Sequence, residues 1–151
     1  MERQELLEKT NLLGAVVALI IYISSILTFI SRILLETQPG HWSGYLLLLI
    51  GFPLFYLLWK APHLKRPLLY TIQIGLMLAW IVVAFLLDYV FKVDFRQTQW
   101  MAICYVVLYF AGAGGVIGVA ANAGRRWTIA AVILFLVAAI LAFVQRSVTG
   151  Y

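Results

Sequence analysis

Residues 100–144 read WMAICYVVLYFAGAGGVIGVAANAGRRWTIAAVILFLVAAILAFV, two uncharged stretches joined by a turn that carries Arg125 and Arg126. Each stretch is about 20 residues long, which is the length an α-helix needs to cross the hydrocarbon core of a bilayer. Because an arginine pair is costly to bury in lipid, the turn is predicted to lie at the membrane surface. This segment therefore predicts two consecutive transmembrane helices, over residues 100–121 and 127–144.

The remainder of the chain repeats this pattern of long apolar runs and short polar connections. Of its 151 residues, 64% are hydrophobic and 11% are charged, whereas about 25% of the residues of a soluble domain are charged. Three more apolar runs predict spans over residues 12–31, 42–59 and 68–87. Since backbone polar groups in lipid must be satisfied internally, and since these runs lack the alternation of barrel strands, we predict an all-α bundle. The expected architecture is one polytopic membrane domain, residues 1–151, with five transmembrane helices.

Polar residues and prolines mark the expected ends and irregularities of these spans. Thr10 or Asn11 is predicted to cap the first helix, because a side-chain oxygen there can accept a free backbone N–H. Pro53 lies near the middle of the second span, where a missing N–H predicts a kink. The segment over residues 88–99 fits two interpretations, an extended stretch on the membrane surface or a helical extension of the third span.

The distribution of basic residues predicts the orientation of the chain. With five spans, seven Lys and Arg residues fall on the side of the amino terminus and four fall on the opposite side. Basic residues favour the cytoplasmic side of a membrane, which predicts an amino terminus inside and a carboxyl terminus outside. This effect also accounts for the net charge of +5, so we expect no nucleic-acid partner.

The most distinctive stretch of the fourth span is Gly112-x-Gly114-Gly115-x-x-Gly118. Small residues spaced four apart form a smooth helical stripe that lets another helix backbone approach closely. The residues predicted to serve helix packing are Ala111, Gly114, Gly115 and Gly118. Packing against the fifth span across the short turn is the favoured interpretation, and a seam between chains or a ligand groove are the alternatives.

A second group of residues is a candidate for ligand binding. Trp80, Tyr105, Tyr109 and the helix irregularity at Pro53 could line an apolar cavity between the helices. The alternative is purely structural, since prolines are common in membrane helices and aromatic side chains fill their cores.

Ionisable residues at membrane depth are the usual functional candidates in a bundle. None falls at a predicted midplane, and the outer side gathers a polar cluster of Arg32, Glu36, His41 and Asp88. Their spacing matches no metal signature, which favours a solvated outer face without metal or cofactor. The single cysteine, Cys104, cannot form an intrachain disulfide or a multi-thiolate site.

These observations favour a protein without catalytic activity, because no nucleophile–base pair or paired acids are evident. The sequence predicts a multi-pass protein of a cell or inner membrane that acts as a subunit, scaffold or accessory factor through helix–helix contacts. Its expected partners are membrane lipids together with a second copy or another membrane protein. The alternative is a small transporter, channel or bundle that binds lipid or a small apolar ligand.

Overall fold

A computed structural model describes residues 2–35, 42–92 and 98–149, and helices account for nearly all of them. The five α-helices are α1 (Glu2–Leu35), α2 (Trp42–His63), α3 (Leu68–Phe85), α4 (Gln99–Ala121) and α5 (Arg125–Thr149). A short π-helix, Leu86–Val90, continues α3. These three ranges contain no strand, which confirms the predicted all-α bundle.

Four of these helices have the dimensions of transmembrane segments. α1, α3 with its π-helical extension, α4 and α5 are each long and apolar enough to cross a bilayer. α2 has 22 residues, including Pro53 and Pro62. The chain therefore has the character of a membrane protein, and a crossing by α2 remains a prediction.

The helices form a ring of four with one helix added outside. α2 packs against α1 and α3, α3 packs against α4, and α4 returns to α1. α5 packs against α1 and α4. The ring brings the beginnings of α1, α3 and α5 and the ends of α2 and α4 to one end, which we call the basic end. Its basic residues are Arg3, Lys9, Lys60, Lys65, Arg66, Arg125 and Arg126.

The inner face of α1 combines small residues with one tyrosine. Gly14, Ala18 and Tyr22 recur at intervals of four and are buried, which places them on one side of the helix. The Tyr22 hydroxyl donates a hydrogen bond of 2.6 Å to the backbone carbonyl of Ala113 in α4. A hydrogen bond between helices in lipid adds about 0.6–2 kcal/mol, so this contact ties α1 to α4.

The buried face and the exposed face of α5 are both largely apolar. Ala131, Ala138 and Gln145 are buried at intervals of seven residues, as expected for one stripe along a helix. Large apolar side chains such as Ile133 and Ile140 are exposed on the other face. The composition of that face is compatible with contact to acyl chains in a bilayer.

The helix boundaries correct several details of the sequence analysis. α1 begins at Glu2, so the predicted cap at Thr10 or Asn11 is wrong, because both lie inside a helix that the apolar pattern alone does not reveal. α2 extends from Trp42 to His63, four residues beyond the predicted end of the second span, and the kink at Pro53 stays a prediction. Residues 86–90 are helical, which favours a helical extension of α3 for this part, and residues 93–97 lie outside the described ranges.

The arginine-bearing turn lies where the sequence predicted it. The Asn122 side chain donates hydrogen bonds to the carbonyls of Gly118 at 2.9 Å and Val119 at 3.3 Å, which satisfies free acceptors at the end of α4. Gly124 has a φ of 118°, a backbone conformation that glycine adopts without steric cost. Arg125 and Arg126 are exposed at the start of α5, in agreement with a turn at a membrane surface.

Candidate functional site

Four aromatic side chains from three helices meet inside the bundle. The ring centroids of Trp80 and Tyr109 lie 5.0 Å apart, and those of Trp80 and Tyr105 lie 6.0 Å apart. Phe29 of α1 meets Tyr109 edge to face at 6.2 Å. We call these four residues the aromatic cluster. Three of the four residues predicted to bind a ligand are therefore brought together.

Two polar atoms of the aromatic cluster are buried without a hydrogen-bond partner. The side chains of Trp80 and Tyr109 are each 6% exposed. Neither the indole Nε1 nor the Tyr109 hydroxyl has a partner among the described residues. The Ser25 side chain of α1 lies near the Tyr109 hydroxyl, but the two groups do not have the distance and angles of a hydrogen bond. Leaving such a group unsatisfied in a protein interior costs about 1–3 kcal/mol, so this pair requires an explanation.

The aromatic cluster lies at mid-depth in the bundle. At a rise of 1.5 Å per residue, Trp80 lies about 18 Å from the start of α3 and about 15 Å from the end of its π-helical extension. Tyr109 lies about 15 Å and 18 Å from the two ends of α4. Water is scarce at that depth of a bilayer, and the two polar atoms there need a partner from the protein or from a bound molecule.

Helical spacing explains part of this assembly. Tyr105 and Tyr109 are one turn apart on α4, so both face the same neighbour, α3. Phe29 was missed by the sequence analysis. The signal available for it was its separation of seven residues from the buried Tyr22, which places both on one face of α1.

Pro53, the fourth predicted ligand-binding residue, lies on α2, which contributes no ring to the aromatic cluster. It is half-buried on α2, inside a helix that continues to His63. It takes no part in the ring contacts that define the aromatic cluster.

Gly112, Gly115 and Gly118 of α4 pack against α3, so the predicted contact with α5 is wrong for Gly115 and Gly118. An added Cβ at Gly112 would lie 3.0 Å from the Cα of Met77. The corresponding position at Gly115 is 3.3 Å from the Cα of Gln73, and at Gly118 it is 2.2 Å from the Gln73 Nε2. The physical reason is that three glycines at successive intervals of three share the face of α4 that Gln73 and Met77 cover.

The other two predicted packing residues have an open environment. An added Cβ at Gly114 would meet nothing within 4 Å, and Ala111 is exposed. They lie three residues apart, so they share a second face of α4. Within the chain as described, the small residues thus divide into a used face toward α3 and an open face.

The predicted outer polar cluster is described only in part. Arg32 and Asp88 are half-buried near one end of the bundle, and each takes part in a polar or electrostatic interaction. Glu36 and His41 lie outside the described residues. Among the residues described, no group of three or more His, Cys, Asp and Glu could hold a metal ion.

At the basic end, Arg66 binds the beginning of α1. Its guanidinium donates hydrogen bonds to the Thr10 hydroxyl at 3.1 Å and to the Asn11 side-chain oxygen, and it lies 4.8 Å from the centre of the Tyr70 ring. Nearby, Arg3 donates to the Leu64 carbonyl at 3.1 Å. The positions of these basic residues in the sequence predict membrane orientation, but they do not predict the hydrogen bonds of Arg66 and Arg3.

Comparison with protein-family models, curated proteins and solved structures finds no match to this chain.

Proposed function

We propose that this chain is a multi-pass protein of a cell or inner membrane that binds a small lipophilic ligand at the aromatic cluster. The observation that carries the proposal is the pair of buried, unpartnered polar atoms on Trp80 and Tyr109. A ligand that hydrogen-bonds to both would remove their desolvation cost, and the neighbouring aromatic rings would contact its apolar body. Among the described residues, no nucleophile–base pair and no paired acids accompany the cluster, so the proposed role is binding without catalysis.

Ligand retention tests this proposal. We expect the wild-type protein, purified in mild detergent, to carry a small molecule that native mass spectrometry detects. The double variant Trp80→Phe/Tyr109→Phe should retain it on the order of thirtyfold less well, because two hydrogen bonds contribute about 1 kcal/mol each.

The matched control is Trp59→Phe combined with Tyr45→Phe, which removes the same two polar groups from exposed positions (63% and 71% exposed). This control should retain the molecule like the wild type. Equal retention by both double variants, or a wild-type protein that carries only loosely held phospholipid, would contradict a site at the aromatic cluster.

The proposed topology has five spans, with the amino terminus in the cytoplasm and the carboxyl terminus outside. It is supported by the seven basic residues at the basic end, since basic residues favour the cytoplasmic side. Alkaline phosphatase is active only after export from the cytoplasm. We expect it to be active when it is fused after Tyr151. A fused fluorescent protein that matures in the cytosol would show an even number of crossings and contradict the topology.

A second candidate role is that of a subunit that contacts a second copy or another membrane protein. The open face of α4, with the exposed Ala111 and the unobstructed Gly114, favours this role because small residues allow close helix approach in lipid. Cys104 is exposed on α4, seven residues before Ala111 and therefore on the same face.

Oxidative cross-linking tests the subunit role with the native cysteine. If two copies meet through the open face, an oxidant applied to intact membranes should convert much of the protein into a disulfide-linked dimer through Cys104. The variant Gly114→Leu should abolish the cross-link, because a large side chain would separate the helices. A chain that stays monomeric at native expression levels argues against a homo-oligomer at this face.

A further inference from the structure

The two unpartnered atoms of the aromatic cluster also restrict the chemistry of the ligand. We propose that the ligand is an uncharged lipophilic molecule with a carbonyl-type acceptor, of the quinone or ketone class, and this inference rests on the proposed function.

The hydrogen-bonding capacity of the two side chains sets the first restriction. An indole N–H can only donate, so whatever satisfies Trp80 must present an acceptor. The Tyr109 hydroxyl can donate as well, and a carbonyl oxygen has two lone pairs. Because the two rings are in contact, with centroids 5.0 Å apart, one molecule can lie against both. A hydrocarbon would leave both groups unsatisfied.

The uncharged character of the cluster's own side chains sets the second restriction. Phe29, Trp80, Tyr105 and Tyr109 are all uncharged, and so is the neighbouring Ser25. An ion transferred to this depth without a countercharge would bear a large desolvation cost. The cluster therefore favours a neutral molecule, and its aromatic rings can pack against a conjugated ring.

Depth sets the third restriction and excludes the commonest carbonyls of a membrane. The hydrocarbon core is about 30 Å thick, so the ester carbonyls of phospholipids lie about 15 Å from its centre. Trp80 and Tyr109 lie near the middle of their helices, about 15–18 Å from each end. A lipid-soluble carbonyl compound without a charged headgroup can place its acceptor at that depth, and a phospholipid cannot do so without burying its headgroup.

The experiment uses two matched probes on the full chain in detergent micelles. The first is 2,3-dimethyl-1,4-naphthoquinone, whose substituted ring resists addition of the exposed Cys104 thiol. The second is 2,3-dimethylnaphthalene, which has the same flat body without carbonyl oxygens. The ¹⁵N–¹H spectrum shows one indole signal for each of the five tryptophans, and the variant Trp80→Phe assigns the signal of Trp80.

We expect the quinone, and not the hydrocarbon, to move the Trp80 indole proton downfield in a saturable manner while the other indole signals stay in place. Tyr109→Phe should weaken this binding about fivefold, the effect of one hydrogen bond. Trp59→Phe, as a control, should leave the quinone affinity unchanged.

Three other outcomes would contradict the inference. If both probes bind equally well, the site accepts apolar rings and the carbonyl inference is overturned while the binding function stands. If the ligand-free Trp80 proton already lies downfield and exchanges rapidly with D₂O, water satisfies the donors and the inference fails. If neither probe binds and the purified wild type carries no small molecule, the inference and the proposed function both fail.

Discussion

Replacing Gly112 by alanine is expected to destabilise the bundle by about 1–3 kcal/mol, the usual cost of inserting a methyl group into a well-packed interior. The added Cβ would lie 3.0 Å from the Cα and 3.2 Å from the backbone nitrogen of Met77. Backbone atoms cannot rotate away as a side chain can, so α3 and α4 would have to separate. The measurement is the free energy of unfolding in mixed micelles.

The same substitution two residues later provides the control. Gly114→Ala adds an identical methyl group to the same helix, where nothing lies within 4 Å. Alanine reduces the conformational freedom of the unfolded chain, so this variant should be unchanged or up to about 1 kcal/mol more stable. Equal effects of the two variants would contradict close packing of α3 on Gly112.

A third glycine distinguishes a backbone clash from a side-chain clash. The Cβ of a Gly118→Ala variant would meet the end of the Gln73 side chain, at 2.2 Å from Nε2. That amide can turn aside, so the cost should be smaller than at Gly112. In a Gln73→Ala background the cost at Gly118 should disappear, whereas the cost of Gly112→Ala should persist, because it arises from the Met77 backbone.

The contrast between these glycines shows what the sequence could predict and what it could not. Apolar length and the arginine turn predict the helices and their order correctly, because both follow from the cost of charge and of free backbone groups in lipid. They do not predict which helix face is buried. Exposed Ile133 and buried Ala131 of α5 are both apolar, so polarity carries no information about the neighbour.

The sequence predicted more of the aromatic cluster than of the glycine contacts. Trp80, Tyr105 and Tyr109 stand out because large rings with polar tips inside a span need partners, and their spacing directs two of them to one face. Spacing cannot predict that Trp80 and Tyr109 have no hydrogen-bond partner. It depends on where the neighbouring helices place their own polar atoms.

The contacts of Arg66 lie outside what hydropathy can predict, and they lead to the second large expected effect. Arg66→Met keeps the apolar stem but removes the donors to Thr10 and Asn11 and the charge over the Tyr70 ring. Hydrogen bonds that involve a charged group contribute about 1.5–3 kcal/mol each, so the beginning of α1 should lose about 3 kcal/mol of local stability. Hydrogen exchange of the peptide over residues 1–11, followed by mass spectrometry, measures this loss.

The expected increase in exchange of that peptide is on the order of a hundredfold, since about 1.4 kcal/mol corresponds to a factor of ten. Arg125→Met is the matched control, because it removes the same charge from an exposed position at the same end of the bundle. If loss of positive charge at the membrane surface were the cause, both variants would exchange equally fast. Faster exchange in Arg66→Met alone assigns the effect to its contacts, because the control keeps Thr10 and Asn11 bound to the guanidinium.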